Sequence, residues 1–315
     1  MDPLERRPLG RTALTVSRLG VGGGSTFGRA GDQGTALIDA CWDAGLRYFD
    51  TAPLYGAGNS ERSVGRALAR RPRDEFVLST KVGRNGERDF DYRADAVRVS
   101  LLRSLERLGL ERIDIALIHD VDPDMHGDAF PQRFDEALHG AYAALDDLRR
   151  QGVIGAVGMG LKNWDVALRM AQAARLDCVM LAGGYTLLQH GGFDELLPWC
   201  AANAVSVILA APYNTGILAT GAVAGARYYY EPAPPEILER TRRIEAVCTR
   251  HQVPLAAAAL QFPLGHPAVA SVVVGHAEAA EVADNLALLR HPIPAALWGE
   301  LKAAGLLPAL APVPG

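Results

Sequence analysis

The chain has no surplus of charge. Its 32 basic and 36 acidic side chains leave a net −4, and no block of like charges occurs. That excludes the basic footprint of a nucleic-acid binder or of a protein held on an anionic membrane. Cysteine is scarce. Cys41, Cys178, Cys200 and Cys248 form no Cys-x-x-Cys pair and sit in apolar contexts, so free core thiols are expected rather than disulfides or zinc. The opening "MDPLERRPLGR" lacks the apolar centre of a secretory signal. No apolar run approaches the roughly 20 residues that cross a bilayer. These absences together predict a soluble cytoplasmic protein with no nucleic-acid or membrane partner. The dinucleotide fingerprint G-x-G-x-x-G is missing too. The stretch "GVGGGSTFG" (20–28) is glycine-rich without that spacing, and helical periodicity starts only near residue 33, so it reads as a loop.

What the sequence does have is rhythm. Apolar, β-rich runs fall at 16–22, 46–50, 75–81, 113–119, 154–160, 178–184, 205–211 and 269–275. Amphipathic stretches lie at 33–44, 60–71, 94–108, 136–151, 164–174, 193–203, 236–251 and 278–289. The second of these starts at an Asn59 or Ser60 N-cap and repeats apolar Val64, Ala67 and Leu68. Strands followed by helices imply parallel pairing through right-handed crossovers, and strands apolar on both parities imply two buried faces. Eight such units fit a closed (β/α)8 TIM barrel, with an open doubly wound sheet as the rival. A hairpin in "RRPLGRTALTVS" precedes the first barrel strand. The Gly-, Pro- and Tyr-rich segment 212–235 reads as a long loop after strand 7 with little regular structure, and "PALAPVPG" as a loose tail. The whole chain, 1–315, is expected to form one domain.

Three consecutive strands end on ionisable residues: Asp50, Lys81 and His119, with Tyr55 in the loop after the first. A lysine closing the apolar run "FVLST" needs a partner, since buried lysine is rare alone. Asp50, one strand over, is the natural one. A paired Lys81 stays cationic beside Tyr55 and should lower a phenol pKa that starts near ~10. Tyr55 would then donate and accept protons nearer neutral pH, with His119 bonding the same substrate oxygen. Residue types alone leave a second reading open, that of a structural ion pair under a loop. "HDVD" (119–122) offers too few ligands beside Lys81 to make a metal site, so no metal is expected.

The stretches "RYFDTAPLYGAGNSERSVGRAL", "LSTKVGR" and "DIALIHD" resemble the aldo-keto reductase family, in order and spacing over nearly the whole chain. That resemblance implies a (β/α)8 barrel holding an extended NAD or NADP without a Rossmann fold. It assigns Asp50, Lys81 and His119 to the catalytic set around Tyr55 as general acid/base. "GGYTLLQ" (183–189), "APYNTGIL" (211–218) and "HQVPLAAAALQFPLGHPAVASVVVG" (251–275) are similar to its sugar-dehydrogenase branch, that of L-fucose dehydrogenase, D-threo-aldose 1-dehydrogenase and pyridoxal 4-dehydrogenase. The branch oxidises an aldose at C1 to the lactone.

Cofactor contacts implied by the resemblance are Gly22, Asp50, Asn163, Pro212, Tyr213, Asn214, Gly216, Leu218, Gly275, His276, Glu278, Glu281 and Asn285. Several family positions differ. Where Ser-Asn usually follows strand 5 the chain has "GMGLKNW", so Lys162, Asn163 or backbone serves. The usual glutamine of strand 6 falls at Ala182, and the nicotinamide-stacking tyrosine of strand 7 at Ala210, with Tyr213 three residues on. The usual 2′-phosphate cations are replaced by Ala277 and Glu278. A carboxylate there favours the free ribose diol, hence NAD, although His276 and Arg290 leave NADP open. Substrate contacts are expected from Tyr55, His119, Trp164 and Tyr185. The function expected is NAD(P)-dependent oxidation of an aldose of L-fucose, L-galactose or D-arabinose type. Aldehyde or ketone reduction with NADPH, pyridoxal 4-dehydrogenation and a non-enzymatic cofactor-binding subunit are the alternatives. A monomer or small homo-oligomer is expected.

Overall fold

A computed structural model describes residues 1–24 and 32–315, so the second half of the glycine-rich stretch lies outside the described residues. The chain begins with a hairpin. β1 (Arg6–Pro8) pairs antiparallel with β2 (Thr15–Ser17). Gly10 turns it at φ +55, and a Cβ there would stand 2.2 Å from the Asp177 carbonyl oxygen, so only glycine fits.

Seven strands then run parallel: β3 (Leu19–Gly22), β4 (Tyr48–Asp50), β5 (Val77–Val82), β6 (Ile113–His119), β7 (Ile154–Leu161), β8 (Cys178–Ala182) and β9 (Ser206–Ala210). A two-residue hairpin, β10 (Arg227–Tyr228) with β11 (Glu231–Pro232), lies outside the sheet. The eighth barrel strand, β12 (Val269–Gly275), pairs with β9 on one side and β3 on the other. The sheet is therefore a closed (β/α)8 barrel, and closure removes every free edge.

Alternation along the strands gives two cores. Tyr48, Val77, Ile115, Leu117, Met180 and Ile208 fill the lumen, and Leu9 and Val16 of the hairpin plug its N-terminal end. Residues of the other parity, such as Phe49, Leu78, Ala116 and Ile118, join the layer between sheet and helices. All four cysteines are buried and free. Among the described residues no helix is long and apolar enough to cross a membrane.

The structure differs from expectation at the edges of elements. The run 16–22 is divided, because its first residues belong to the hairpin. Helix Asn59–Leu68 is preceded by Gly58 in the left-handed region, not capped by Asn59 or Ser60. The Ser60 hydroxyl is instead engaged with Thr51 (2.7 Å) and the Gly23 carbonyl (3.2 Å). Helical structure ahead of β7 starts at Pro123 rather than 136, with a short helix Pro123–His126 and a 3-10 turn Gly127–Ala129 before the longer helical run from Phe130, which carries a π turn at Ala137–Tyr142. Segment 212–235 has more structure than expected: a 3-10 turn at Asn214–Gly216 and a short helix, Ile217–Thr220, besides the β10–β11 hairpin. Helices Leu255–Gln261 and Ala295–Ala303, which follow Pro254 and Pro294, lie outside the eight helical stretches expected. The tail is not loose. Ala311 is buried, and Val313 passes so close to Gly265 that a Cβ there would clash.

Candidate active site

The period of two decides which side chains meet. On β4, β5 and β6 the lumen-facing positions climb from Tyr48 to Asp50, from Val77 through Ser79 to Lys81, and from Leu117 to His119. Apolar residues occupy the lower layers and the polar residues the C-terminal rim. Lys81 Nζ donates to Asp50 Oδ2 at 2.6 Å and to the Thr51 carbonyl at 2.8 Å. The Ser79 hydroxyl donates to Asp50 Oδ1 at 2.6 Å. Lys81 is 2 % and Asp50 3 % exposed. Burying such a pair costs more than its attraction returns unless the leftover donors and acceptors are filled. Ser79 and Thr51 fill them, and neither was picked out from the sequence.

Tyr55 reaches this pair from the turn after β4. That turn is tied down by the Thr51–Ser60–Gly23 hydrogen bonds and, deeper, by Glu61, which is fully buried and accepts from Thr80 Oγ1 (2.7 Å) and Arg107 Nε (2.5 Å). Lys81 Nζ lies 4.7 Å from the centre of the Tyr55 ring. The His119 ring stands edge-on to the phenol, with centroids 6.0 Å apart and planes at 87°. The structure thus brings Asp50, Tyr55, Lys81 and His119 together.

Their electrostatics correct one expectation. Lys81 does pull the Tyr55 pKa down, but burial and the Asp50 charge outweigh it, and the phenol sits above its ordinary value. For Lys81, burial works against the ammonium, yet Asp50 and Tyr55 outweigh it and the pKa is raised. Burial first, then Lys81 and Arg84, hold the His119 pKa down to about 4 against the pull of Asp120, so His119 is a neutral imidazole at neutral pH. Asp120 follows it, with Oδ2 3.3 Å from His119 Nε2 and hydrogen-bonded to Arg84. The sequence signal for Asp120 lies in "HDVD", where residue types alone point to metal ligands and not to a partner for His119. The second acid of that motif is engaged elsewhere: fully buried Asp122 accepts the backbone amides of Asn163 (2.8 Å) and Lys162 (3.3 Å). It pins the loop after β7, and burial raises its pKa to about 6.

Around the rest of the rim the strands end small. Gly22, Gly160, Ala182, Ala210 and Gly275 close β3, β7, β8, β9 and β12 or stand next to their ends. A Cβ on Gly24 would stand 3.7 Å from Tyr55 Cζ. One half of the rim is therefore polar and charged, and the other is nearly bare backbone where a flat group can lie against the tyrosine.

Other expected contacts fall as follows. Pro212 and Leu218 are buried, Leu218 in the helix-layer core, and the Asn214 side chain is bonded to Thr186 Oγ1 (2.6 Å) and the Gly183 carbonyl (3.4 Å). Pro212, Asn214, Gly216 and Leu218 are thus left with backbone to offer a ligand. The Tyr213 hydroxyl donates to Asn285 Oδ1 at 2.5 Å, which ties the loop after β9 to the helix after β12. Glu281 accepts the Ala277 amide at 2.7 Å and so shapes that turn. Glu278 is exposed just before helix Ala279–Arg290, beside buried His276. Arg290 ends the same helix, about 18 Å along the axis from Glu278 at 1.5 Å per residue. Asn163 precedes helix Trp164–Ala173. Trp164 packs over Gly191 and Gly192. Tyr185 is no pocket wall: it is fully buried among Phe193, Phe262 and His266 in the outer layer.

Residues 18–305 match the model of the aldo/keto reductase family. The chain is 41 % identical to a D-threo-aldose 1-dehydrogenase of a Pseudomonas species, an alignment that covers 94 % of this chain and 96 % of that one. It is 35 % identical to a pyridoxal 4-dehydrogenase of Microbacterium luteolum, covering 96 % and 98 %. Among solved structures it resembles the holo form of an aldo-keto reductase from Bacillus halodurans, with a TM-score of 0.77, 25 % identity and 98 % of each chain covered.

Proposed function

Because this chain belongs to the aldo/keto reductase family, its chemistry is that of an NAD(P)-dependent oxidoreductase, and we propose that it oxidises the anomeric carbon of an aldose to a lactone with NAD. The observation that carries the proposal is the buried Lys81–Asp50 pair at 2.6 Å under the Tyr55 ring. It supplies a fixed cation where a phenolate has to form. The chemistry a bound nicotinamide contributes is acceptance of the C1 hydride. Tyr55, as phenolate, takes the proton of the anomeric hydroxyl, and neutral His119 hydrogen-bonds the same oxygen. The bare strand ends at Gly22, Ala182, Ala210 and Gly275 suit a planar ring beside Tyr55. Glu278, with no lysine or arginine between 275 and 285, favours a ribose that carries no phosphate.

The raised Tyr55 pKa gives the reaction a direction with pH. Oxidation needs the base form, so kcat/KM for aldose oxidation should climb through neutral pH into the alkaline range. The test is reduction of NAD or NADP, followed by absorbance, with L-fucose, L-galactose, D-arabinose and pyridoxal. Aldose-dependent formation of NADH together with the lactone supports the proposal. Turnover of pyridoxal alone, or only of aldehydes with NADPH, refutes it.

A further inference from the structure

At the edge of the pocket, next to His119, stands an acid outside the four residues above. The Asp120 backbone is left-handed, at φ +54, where side chains other than Asn and Asp are uncommon. It is held there by three hydrogen bonds. Its amide donates to the Gly160 carbonyl at 2.8 Å, and its carbonyl receives Tyr92 Oη and His126 Nε2, both at 3.1 Å. Tyr92 also clamps the His119 carbonyl at 2.8 Å. The side chain is anchored through one oxygen only. Arg84, itself held by the carbonyls of Gly86 and Glu87, binds Oδ2, and His119 Nε2 faces the same Oδ2. Among the described residues none donates a hydrogen bond to Oδ1, and that oxygen is not sealed from solvent. His119 and Arg84 overcome the effect of burial and keep the group ionised at neutral pH.

We propose that Asp120 is a specificity-determining residue whose open oxygen, Oδ1, accepts a hydrogen bond from a substrate hydroxyl on the carbon next to the reacting one. The proposal deepens the reading above and relies on it only for the position of the reacting oxygen between Tyr55 and His119. With that oxygen on His119, the neighbouring carbon lies towards the carboxylate that His119 touches. A polyhydroxylated substrate satisfies the carboxylate. A plain aldehyde or alcohol displaces water from Oδ1 and returns no hydrogen bond, which selects against it. The strained, doubly clamped backbone serves to aim this one oxygen.

The experiment compares substrate pairs that differ only in that hydroxyl: an aldose and its 2-deoxy form in oxidation, glycolaldehyde and acetaldehyde in reduction. The wild type should favour the hydroxylated member in kcat/KM by roughly 10- to 100-fold, the range for a hydrogen bond to a charged group. In Asp120→Ala the ratio should fall to near one. In Asp120→Asn, which tolerates the left-handed backbone and keeps a weaker acceptor, the ratio should be intermediate, and cofactor affinity by titration should be unchanged in both. A wild-type ratio near one overturns the proposal. So does a variant in which both members slow in parallel, because that is what mere support of His119 would do. If the wild type oxidises no aldose, the function proposed above fails, and the glycolaldehyde–acetaldehyde ratio still decides the role of Asp120.

Discussion

At the N-terminal rim of the barrel, Asp114 Oδ2 takes the Leu78 amide (2.8 Å) and Arg73 (2.7 Å), and Asp177 Oδ2 takes the Val157 amide (2.9 Å) and Arg149 (2.6 Å). At the C-terminal rim, Asp50 takes Lys81 and a serine hydroxyl. Both rims bury an acid against a base, but the partners differ. Arginine stays charged and binds through a rigid fork, so the lower pairs staple one strand to the next. Lysine is a compact point charge set under a phenol, and none of the hydrogen bonds to the Asp50 carboxylate comes from a strand amide. The backbone differs as well. Near the lower rim, left-handed Ala204 and Gln252 follow helix ends, an ordinary way to stop a helix. On the upper rim Asp120 and Ala211 are left-handed just past strand ends, Asn214 and Thr215 in the 3-10 turn, and Tyr229 and Tyr230 in the turn of the β10–β11 hairpin. Strain concentrated on one rim marks the face where geometry has been traded for placement of groups. The lower rim also has a cleft of about 390 Å³ beside Arg7, Cys200 and Ser206, but Arg7 there is bonded to the Val269 carbonyl at 2.8 Å and acts as another staple.

The sharpest way to break this contrast is to remove one hydroxyl from the upper rim. Tyr55→Phe should lower turnover by about 10³-fold with cofactor binding intact, measured by steady-state kinetics and cofactor titration. Full activity in the variant would make the upper pair one more staple. The converse change at the lower rim, Asp177→Ala, strands the Val157 amide and a buried arginine contact. It should cost about 3 kcal/mol in urea unfolding while the folded protein keeps its kcat. A loss of kcat without a loss of stability would erase the distinction between the rims. At the outer edge of the upper rim, Glu278→Arg should move the NADP-to-NAD ratio of kcat/KM upward by roughly tenfold, the effect of one charge-assisted phosphate contact. An unchanged ratio would put the adenosine end elsewhere.

The smallest effect is on stability against pH. His119, His190 and His276 each have pKa values held down to about 4 by burial, against an ordinary 6.5. A depressed base favours the folded state above its unfolded value, so this stability is present above pH 6.5 and fades as pH falls towards 4. Asp122, raised from 3.8 to about 6, works in the opposite sense over much of the same range. The three imidazoles outnumber it, so Tm should decline on acidification from pH 6.5 to 4. A flat or rising Tm would show that these histidines are hydrated.

How much of this was legible in the sequence follows from the physics of each part. Strands buried on both faces write long apolar runs, and all eight were readable, as were Asp50, Lys81 and His119, because a charge that ends an apolar run is conspicuous. Edges were not, since Ser60 chose the Thr51 hydroxyl over a cap and the π turn at 137–142 has no composition of its own. The sign of the Tyr55 pKa was missed because burial is a property of the assembled rim, whereas the neighbouring lysine is visible in one dimension. Tyr185 and Tyr213 look alike in sequence, yet one is sealed in the outer layer and the other bonds Asn285. Only the fold of the loops separates them.

The most direct measurement is the pH dependence of kcat/KM for aldose oxidation in the wild type and in Lys81→Met. If the ammonium sets the acidity of the phenol, the rise in rate moves to higher pH in the variant by about one unit or more. Profiles that superimpose apart from their height would contradict the account.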